Sequence, residues 1–343
     1  MAEQDYIAQL FHVRRERYGI SDDICWGWFD PETQNIEWNT WRHADADGIG
    51  GLAKILRPLG FPCSPLPQSN ETYEPSWREI IKAGKQYPLP KAPKKVHWKR
   101  TYDFQHDQLH LPEVVCFNEE DTARIVAQAS VMGASAGNFV FAALSRVVAE
   151  QLIADDAPFH WFIPVNVRGA CGINNEFFNQ ASGINLMVTG ASQASDWQAQ
   201  TRRALNAKRH WATWKLVRIG RYIGSTGLSW VYRLSSRSTH FAGSCSNLGR
   251  WPLTDVNNPP LPDRRVLVAV GPGTANYPIN SSVIEWDGRL TITLKIHPYI
   301  CPDQATIRSM VNAWRDTIIG ELPPVSSKKT ENVECNATSA LTD

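Results

Sequence analysis

Several functional classes are excluded by what this sequence lacks. Its seven cysteines (Cys25, Cys63, Cys116, Cys171, Cys245, Cys301 and Cys335) are scattered and form no CxxC pair, which argues against a zinc knuckle and against a disulfide framework. No apolar run approaches the length of a membrane span. The opening Met1-Ala2-Glu3-Gln4-Asp5 has neither the basic start nor the apolar stretch of a secretion signal. Neither sign of charge is in excess: 35 basic and 34 acidic residues leave a net charge of +1, so the whole-molecule field predicts neither nucleic-acid nor membrane attachment. His97, His106, His110, His160, His210, His240 and His297 lack metal-ligand spacing. Gly271-Pro272-Gly273-Thr274 is too short for a phosphate loop and lacks the Gly-Lys-Ser/Thr ending. The expectation is a cytoplasmic protein with no membrane span, no bound metal and no nucleic-acid partner.

What is present is enough apolar material, 43% of 343 residues, for one large core or two smaller ones. Fourteen tryptophans are many, and they are read as core packing rather than as the wall of a binding site. Ile7, Leu10, Phe11 and Arg14 at helical spacing predict a helix over 5–18, ending near Gly19. Two strand-like runs, Asp23–Asp30 and Ile36–Arg42, are joined by Pro31-Glu32-Thr33-Gln34 and read as a hairpin. Residues 58–110 are proline-rich and predict an irregular crossover with one helix, Trp77–Ala83. From residue 111 the pattern becomes regular. Strands are expected at 112–117, 159–167, 184–188, 241–247 and 266–270, and at a hairpin 283–286 and 290–296 turned by Asp287-Gly288. Helices capped by Asn118 and Ser135, a helical stretch over 194–234 broken near Gly224-Ser225, and a last helix over 304–319 lie between and after them. The polar end from Pro323 reads as disordered. Helices and strands intermix without βαβα alternation, so the fold class is α/β with mixed sheet layers.

The most compact chemistry is Arg42-His43-Ala44-Asp45-Ala46-Asp47-Gly48, where a strand is expected to run into a helix. Histidine is the side chain most easily tuned to take and return a proton near neutral pH, so His43 is a candidate general base. Gly48 would permit positive φ and close backbone approach at the bend. Asp47 would orient the imidazole or hold the loop through an arginine. The same letters could open a calcium loop, with His43, Asp45 and Asp47 at its first, third and fifth positions, but the twelfth position is Lys54 where a bidentate glutamate is needed. A histidine satisfied in the core is the remaining bland alternative.

With His43-x-x-x-Asp47-Gly48 at a strand end, the chain resembles the thioester-dependent acyltransferase superfamily, which includes chloramphenicol acetyltransferase, peptide-synthetase condensation domains, wax-ester synthases, alcohol acetyltransferases and polyketide-associated acyltransferases. Phe162-Ile163-Pro164-Val165-Asn166-Val167-Arg168 resembles the strand that ends in a Pro-Val-x-x-Arg turn. Phe178-Asn179-Gln180-Ala181-Ser182-Gly183 is similar to the loop and strand that follow, and Cys245-Ser246-Asn247-Leu248-Gly249 to a Ser-Asn-Leu-Gly strand end. The resemblance covers about residues 20 to 320. It implies a chloramphenicol acetyltransferase-like fold of two subdomains, 1–110 and 111–322, followed by a tail, 323–343. With 42 residues before the motif, the N-terminal subdomain is expected to be incomplete, through a shortened gene product or a reduced subdomain.

The resemblance further implies acyl transfer from a thioester to an alcohol or amine, with His43 as base and Asp47 in a structural pairing with arginine. Arg42 and Arg168 are both candidates for that arginine, and Arg42 would also depress the pKa of His43 by repulsion. No cofactor is bound; acyl-coenzyme A or acyl-phosphopantetheine is the co-substrate, and an acyl-carrier protein is a further partner. Ser246 and Asn247 are either oxyanion donors or a structural turn. Between Asp196 and Asp255 no residue is acidic and ten are basic. Arg202, Arg203 and Arg209 in that interval are either a solvated face or the landing site for coenzyme A phosphates or a carrier. A catalytically silent member with a binding or assembly role is the alternative function.

Overall fold

The computed structural model describes residues 5–89, 95–104, 109–238, 241–253 and 264–323. Helix α1 (Tyr6–Tyr18) starts where the Asp5 carboxylate accepts from the Ala8 N–H at 2.8 Å, and it stops at Gly19, whose φ of 63° suits a left-handed cap. Strand β1 (Asp23–Asp30) pairs antiparallel with β2 (Asn35–Ile36) and β3 (Asn39–Arg42). The expected second hairpin strand is therefore split at Glu37-Trp38, where the Glu37 carbonyl crowds Gly27 so closely that a Cβ there would fall 2.5 Å from it. Helices α2 (Gly48–Leu56) and α3 (Trp77–Gln86) follow, the second opened by a Ser76/Glu79 capping box.

The remaining elements are β4 (Glu113–Cys116), α4 (Glu119–Val131), α5 (Ala136–Leu152), β5 (Phe159–Asn166), β6 (Ala181–Val188), α6 (Ala194–Asn206), α7 (Arg209–Ser238), β7 (Gly243–Trp251), β8 (Val266–Val270), β9 (Ile279–Trp286), β10 (Arg289–Ile296) and α8 (Gln304–Gly320). Asn118 and Ser135 cap α4 and α5 as expected. The helical stretch over 194–234 breaks at Gly224, with a φ of 62°, as expected, and also at Ala207-Lys208, where Lys208 has a φ of 52°. The β9–β10 turn has positive φ at both Asp287 (49°) and Gly288 (75°), as a type I′ turn requires. The tail beyond residue 323 lies outside the described residues.

Two sheets result. The larger has the order β4-β10-β9-β7-β5-β6, antiparallel except for the parallel pairs β5–β7 and β7–β9. The smaller joins β2, β1 and β3 to β8, which pairs with the far side of β1 from more than 230 residues downstream. Strand alternation divides the β9 side chains between two cores. Ile279 and Val283 face a core built with α4, α5 and α8, whereas Ile284 and Trp286 face a second core with α2, Phe29 and β8. The smaller sheet and α2 are thus clamped onto one face of the larger, and the turn that follows β3 lies where they meet. No single helix among the described residues is long and apolar enough to cross a membrane.

Candidate active site

The turn after β3 is pinned by buried Asp22. Its carbonyl accepts from the His43 N–H at 2.8 Å, and its carboxylate accepts from the Ala44 N–H at 3.0 Å. Arg15 of α1 binds the same carboxylate at 2.8 Å, and the Trp41 indole donates to the Ala46 carbonyl at 3.2 Å. These bonds leave the His43 side chain little freedom. Its Nδ1 lies 2.8 Å from Asn179 Oδ1, and Phe11 stacks on the ring with centroids 4.1 Å apart and planes 23° from parallel. The imidazole is half-buried. Burial lowers its pKa below the ordinary histidine value; a hydrogen bond to its own main chain, the Asp47 charge and Asn179 work against that shift, and Arg14 adds to it. The ring is therefore neutral at pH 7, which is the form a general base needs.

Asp47 does structural work. One of its oxygens accepts from the Gly50 N–H at 2.8 Å and from Arg168 Nη2 at 2.5 Å; the other accepts from the Gln180 N–H at 2.9 Å. Both charged side chains are 2% exposed. Arg168 is therefore the partner of Asp47, and Arg42 is not: Arg42 donates to His12 at 3.1 Å and lies 3.8 Å from Asp22. The cation that depresses the pKa of His43 is likewise Arg14 rather than the expected Arg42. Gly48 corrects half of its reading. It is the first residue of α2 and has no positive φ, but a Cβ there would fall 2.7 Å from Leu248 Cδ2, so close approach is what requires glycine.

His43 borders a cavity of about 100 Å³ between the two sheets, with Pro164, Ala181, Ser246, Asn247 and Leu248 in its walls. No protein-family model matches the chain, and no curated protein sequence matches it. Solved structures do. The cyclization-docking bidomain of the EpoB nonribosomal peptide synthetase from Sorangium cellulosum superposes with a TM-score of 0.50 at 14% identity, over 83% of this chain and 59% of its own. Polyketide synthase associated protein 5 from Mycobacterium tuberculosis gives 0.50 and 14%, over 83% and 73%. A nonribosomal peptide synthetase, FmoA3, gives 0.49 and 13%, and the chain spans 25% of its length. The fold is chloramphenicol acetyltransferase-like.

Within that fold the sequence-predicted residues separate into groups. His43, Asp47, Gly48, Arg168, Ser246 and Asn247 all border the one cavity. Asn247 is partly committed to the end of β7, its Oδ1 accepting from the Gly249 N–H at 3.0 Å. Arg202 and Arg203 lie apart on α6, both exposed. Arg209 opens α7 and borders a second cavity of about 330 Å³ together with His160, Met187, Gln200 and Leu216. The two cavities share a sheet face. Alternation along β5 puts His160, Phe162, Pro164 and Asn166 on one side, and their partners on β6 are Met187, Asn185, Gly183 and Ala181. Phe162 lies across Gly183, where a Cβ would fall 2.1 Å from the ring, and so stands between the cavities. At a strand rise of about 3.3 Å per residue, Pro164 beside His43 and His160 in the second cavity are about 13 Å apart. No group of His, Cys, Asp or Glu among the described residues could hold a metal ion.

Sequence reasoning missed Asp5 and Phe11 and gave Asn179 no individual role. Asp5 Oδ2 accepts from both the backbone N–H and the Nδ2 of Asn179, each at 2.8 Å. Neither the motif nor helical periodicity signals a contact between residues 174 positions apart.

Proposed function

We propose that the protein transfers an acyl group from a thioester to an alcohol or amine, with His43 as general base. The observation that supports this most is the state of the imidazole: its Nδ1 is engaged by Asn179, its pKa is held down by burial, and it borders a cavity between two sheets. The free nitrogen, Nε2, takes the proton of the acceptor hydroxyl or amine as that oxygen or nitrogen attacks the thioester carbonyl. The tetrahedral oxyanion is stabilised by donors in the cavity wall, for which Ser246 and Asn247 are the candidates. Collapse breaks the carbon–sulfur bond, and the thiolate recovers the proton from the imidazolium to leave as a thiol. The Asp47–Arg168 pair holds the turn and takes no part in proton transfer.

Acyl-coenzyme A or an acyl-phosphopantetheine on a carrier protein is the donor in this reading. In this reading Arg209, which lines a cavity about 13 Å along the same sheet face, meets an anionic group at the far end of a thioester arm. The test incubates the purified protein with acyl-coenzyme A and a panel of alcohols and amines and follows free thiol. His43→Ala should reduce release by about 10²-fold or more; release unchanged in that variant refutes the assignment. If carrier-bound donors alone react, reversing Arg202, Arg203 and Arg209 to glutamate should abolish carrier binding. Wild-type protein inactive with every donor would favour a binding or assembly role.

A further inference from the structure

We infer that Asp5 is a positioning residue: by fixing the orientation of the Asn179 amide it selects the Nδ1–H tautomer of His43. The inference rests on the proposed role of His43 only for its catalytic consequence. The chain of donors and acceptors has one reading. A carboxylate accepts and cannot donate, so the two 2.8 Å contacts at Asp5 Oδ2 must come from the N–H and the NH2 of Asn179. With its NH2 so committed, Asn179 turns its carbonyl oxygen to His43, which lies 2.8 Å from Nδ1. A carbonyl accepts, so Nδ1 carries the hydrogen and Nε2 keeps its lone pair. Without Asp5 the amide loses the contact that marks its NH2 end. An inverted Asn179 would point an N–H at Nδ1, draw the proton to Nε2 and remove the base. The interaction of the imidazole with its own main chain is the rival determinant of the tautomer, and loss of Asp5 tests which of the two decides.

The same carboxylate starts α1, through Oδ1 and the Ala8 N–H at 2.8 Å, and α1 carries the Phe11 ring that stacks on His43. The N-terminal helix thus reaches the imidazole twice, once along its edge through Asn179 and once across its face. Capping and positioning can be separated experimentally. Asp5→Ser retains a good N-cap for α1 but is too short to hold Asn179 as well, whereas Asp5→Ala loses both functions.

The experiment is nitrogen-15 NMR of the labelled full chain above the histidine titration range, with His43 assigned through His43→Ala. Wild type should show His43 as the Nδ1–H tautomer, and Asp5→Ser should show a substantial Nε2–H population with unchanged helical circular dichroism. An Nε2–H tautomer in wild type, or an undisturbed Nδ1–H tautomer in Asp5→Ser, overturns the inference. Thiol release supplies the second readout: kcat should fall about tenfold or more in Asp5→Ser with KM nearly unchanged. A tautomer that shifts while kcat does not would uphold the positioning role and overturn His43 as the base, so the two proposals fail separately.

Discussion

Removing the Asp47 carboxylate should cost more stability than removing the Arg168 cation, although both belong to one buried ion pair. In Asp47→Ala, Arg168 stays buried with only longer contacts to neutral oxygens: Asn166 Oδ1 at 3.3 Å and the carbonyls of Phe178 at 3.3 Å and Glu176 at 3.4 Å. An uncompensated buried charge costs about 3–5 kcal/mol, and the lost helix cap about 1 kcal/mol more. In Arg168→Met, by contrast, the carboxylate keeps the Gly50 and Gln180 N–H groups at 2.8 and 2.9 Å. What disappears is the charge-assisted bond to Asp47, about 1.5–3 kcal/mol, together with the three longer bonds to Asn166, Phe178 and Glu176. The double variant leaves no buried charge and should be clearly less destabilised than the sum of the two. Urea unfolding followed by tryptophan fluorescence measures all three, and unchanged slopes permit the comparison of midpoints. An Arg168→Met protein as destabilised as Asp47→Ala, or two effects that add to within about 0.5 kcal/mol, would contradict the unequal roles of the two charges.

Other outcomes follow from the same contacts. His43 and His160 both have pKa values lowered by burial, so the unfolded chain binds their protons first. Their contribution to stability is complete above the unfolded histidine pKa of about 6.5 and is lost as pH falls from there through the folded values; a urea midpoint that rises on acidification across this window contradicts the assignment. Gly243→Ala should weaken the β5–β7–β9 core by about 1–3 kcal/mol or more, because the added Cβ would lie 1.8 Å from the Ile279 carbonyl oxygen, and an unchanged unfolding midpoint would show that the strands can part. Burial raises the pKa of Cys63, Cys116, Cys171, Cys245 and Cys301. Native protein should therefore leave these thiols unmodified by a thiol reagent at pH 7 on the timescale of the acyl-transfer assay; mass mapping after a timed exposure reports any exception.

The sequence was most readable where local rules decide structure. The caps at Asn118 and Ser135, the Asp-Gly turn and the apolar stripe of α8 each depend on a few neighbouring residues, and each is found at the expected place. The His43 turn was legible for the same reason, since strand end and candidate base are adjacent, whereas the role of Asp47 as the cap of α2 was not read. Long-range pairing was not. Nothing in Val266–Val270 says that its edge partner is β1 rather than β7 or β9, because five buried apolar residues fit any of them. The choice between Arg42 and Arg168 also needed three dimensions. Arg42 is nearer in sequence, but β3 directs it toward Asp22 and His12, whereas the end of β5 brings Arg168 under α2.

The Asp47–Arg168 pair also explains how separate segments keep one imidazole in register. β3 delivers His43, the loop before β6 delivers Asn179, and the start of α1 delivers Asp5. Without a tie between the first two, small shifts of the sheets would change the His43–Asn179 distance, and a hydrogen bond weakens within a few tenths of an ångström. Asp47 supplies that tie. It is four residues after His43, and its second oxygen holds the N–H of Gln180, the residue next to Asn179. Arg168 closes the same loop from inside, donating to Asp47 and to the Phe178 carbonyl. The carboxylate that caps α2 therefore fixes the two residues of the imidazole hydrogen bond to each other, which requires an acceptor with two oxygens and a negative charge. Asparagine at position 47 could keep the cap at Gly50 and the Arg168 bond on one oxygen, but its NH2 would then face the Gln180 N–H, donor against donor. Even a folded Asp47→Asn protein should lose the alignment of His43, with kcat falling while substrate affinity is kept.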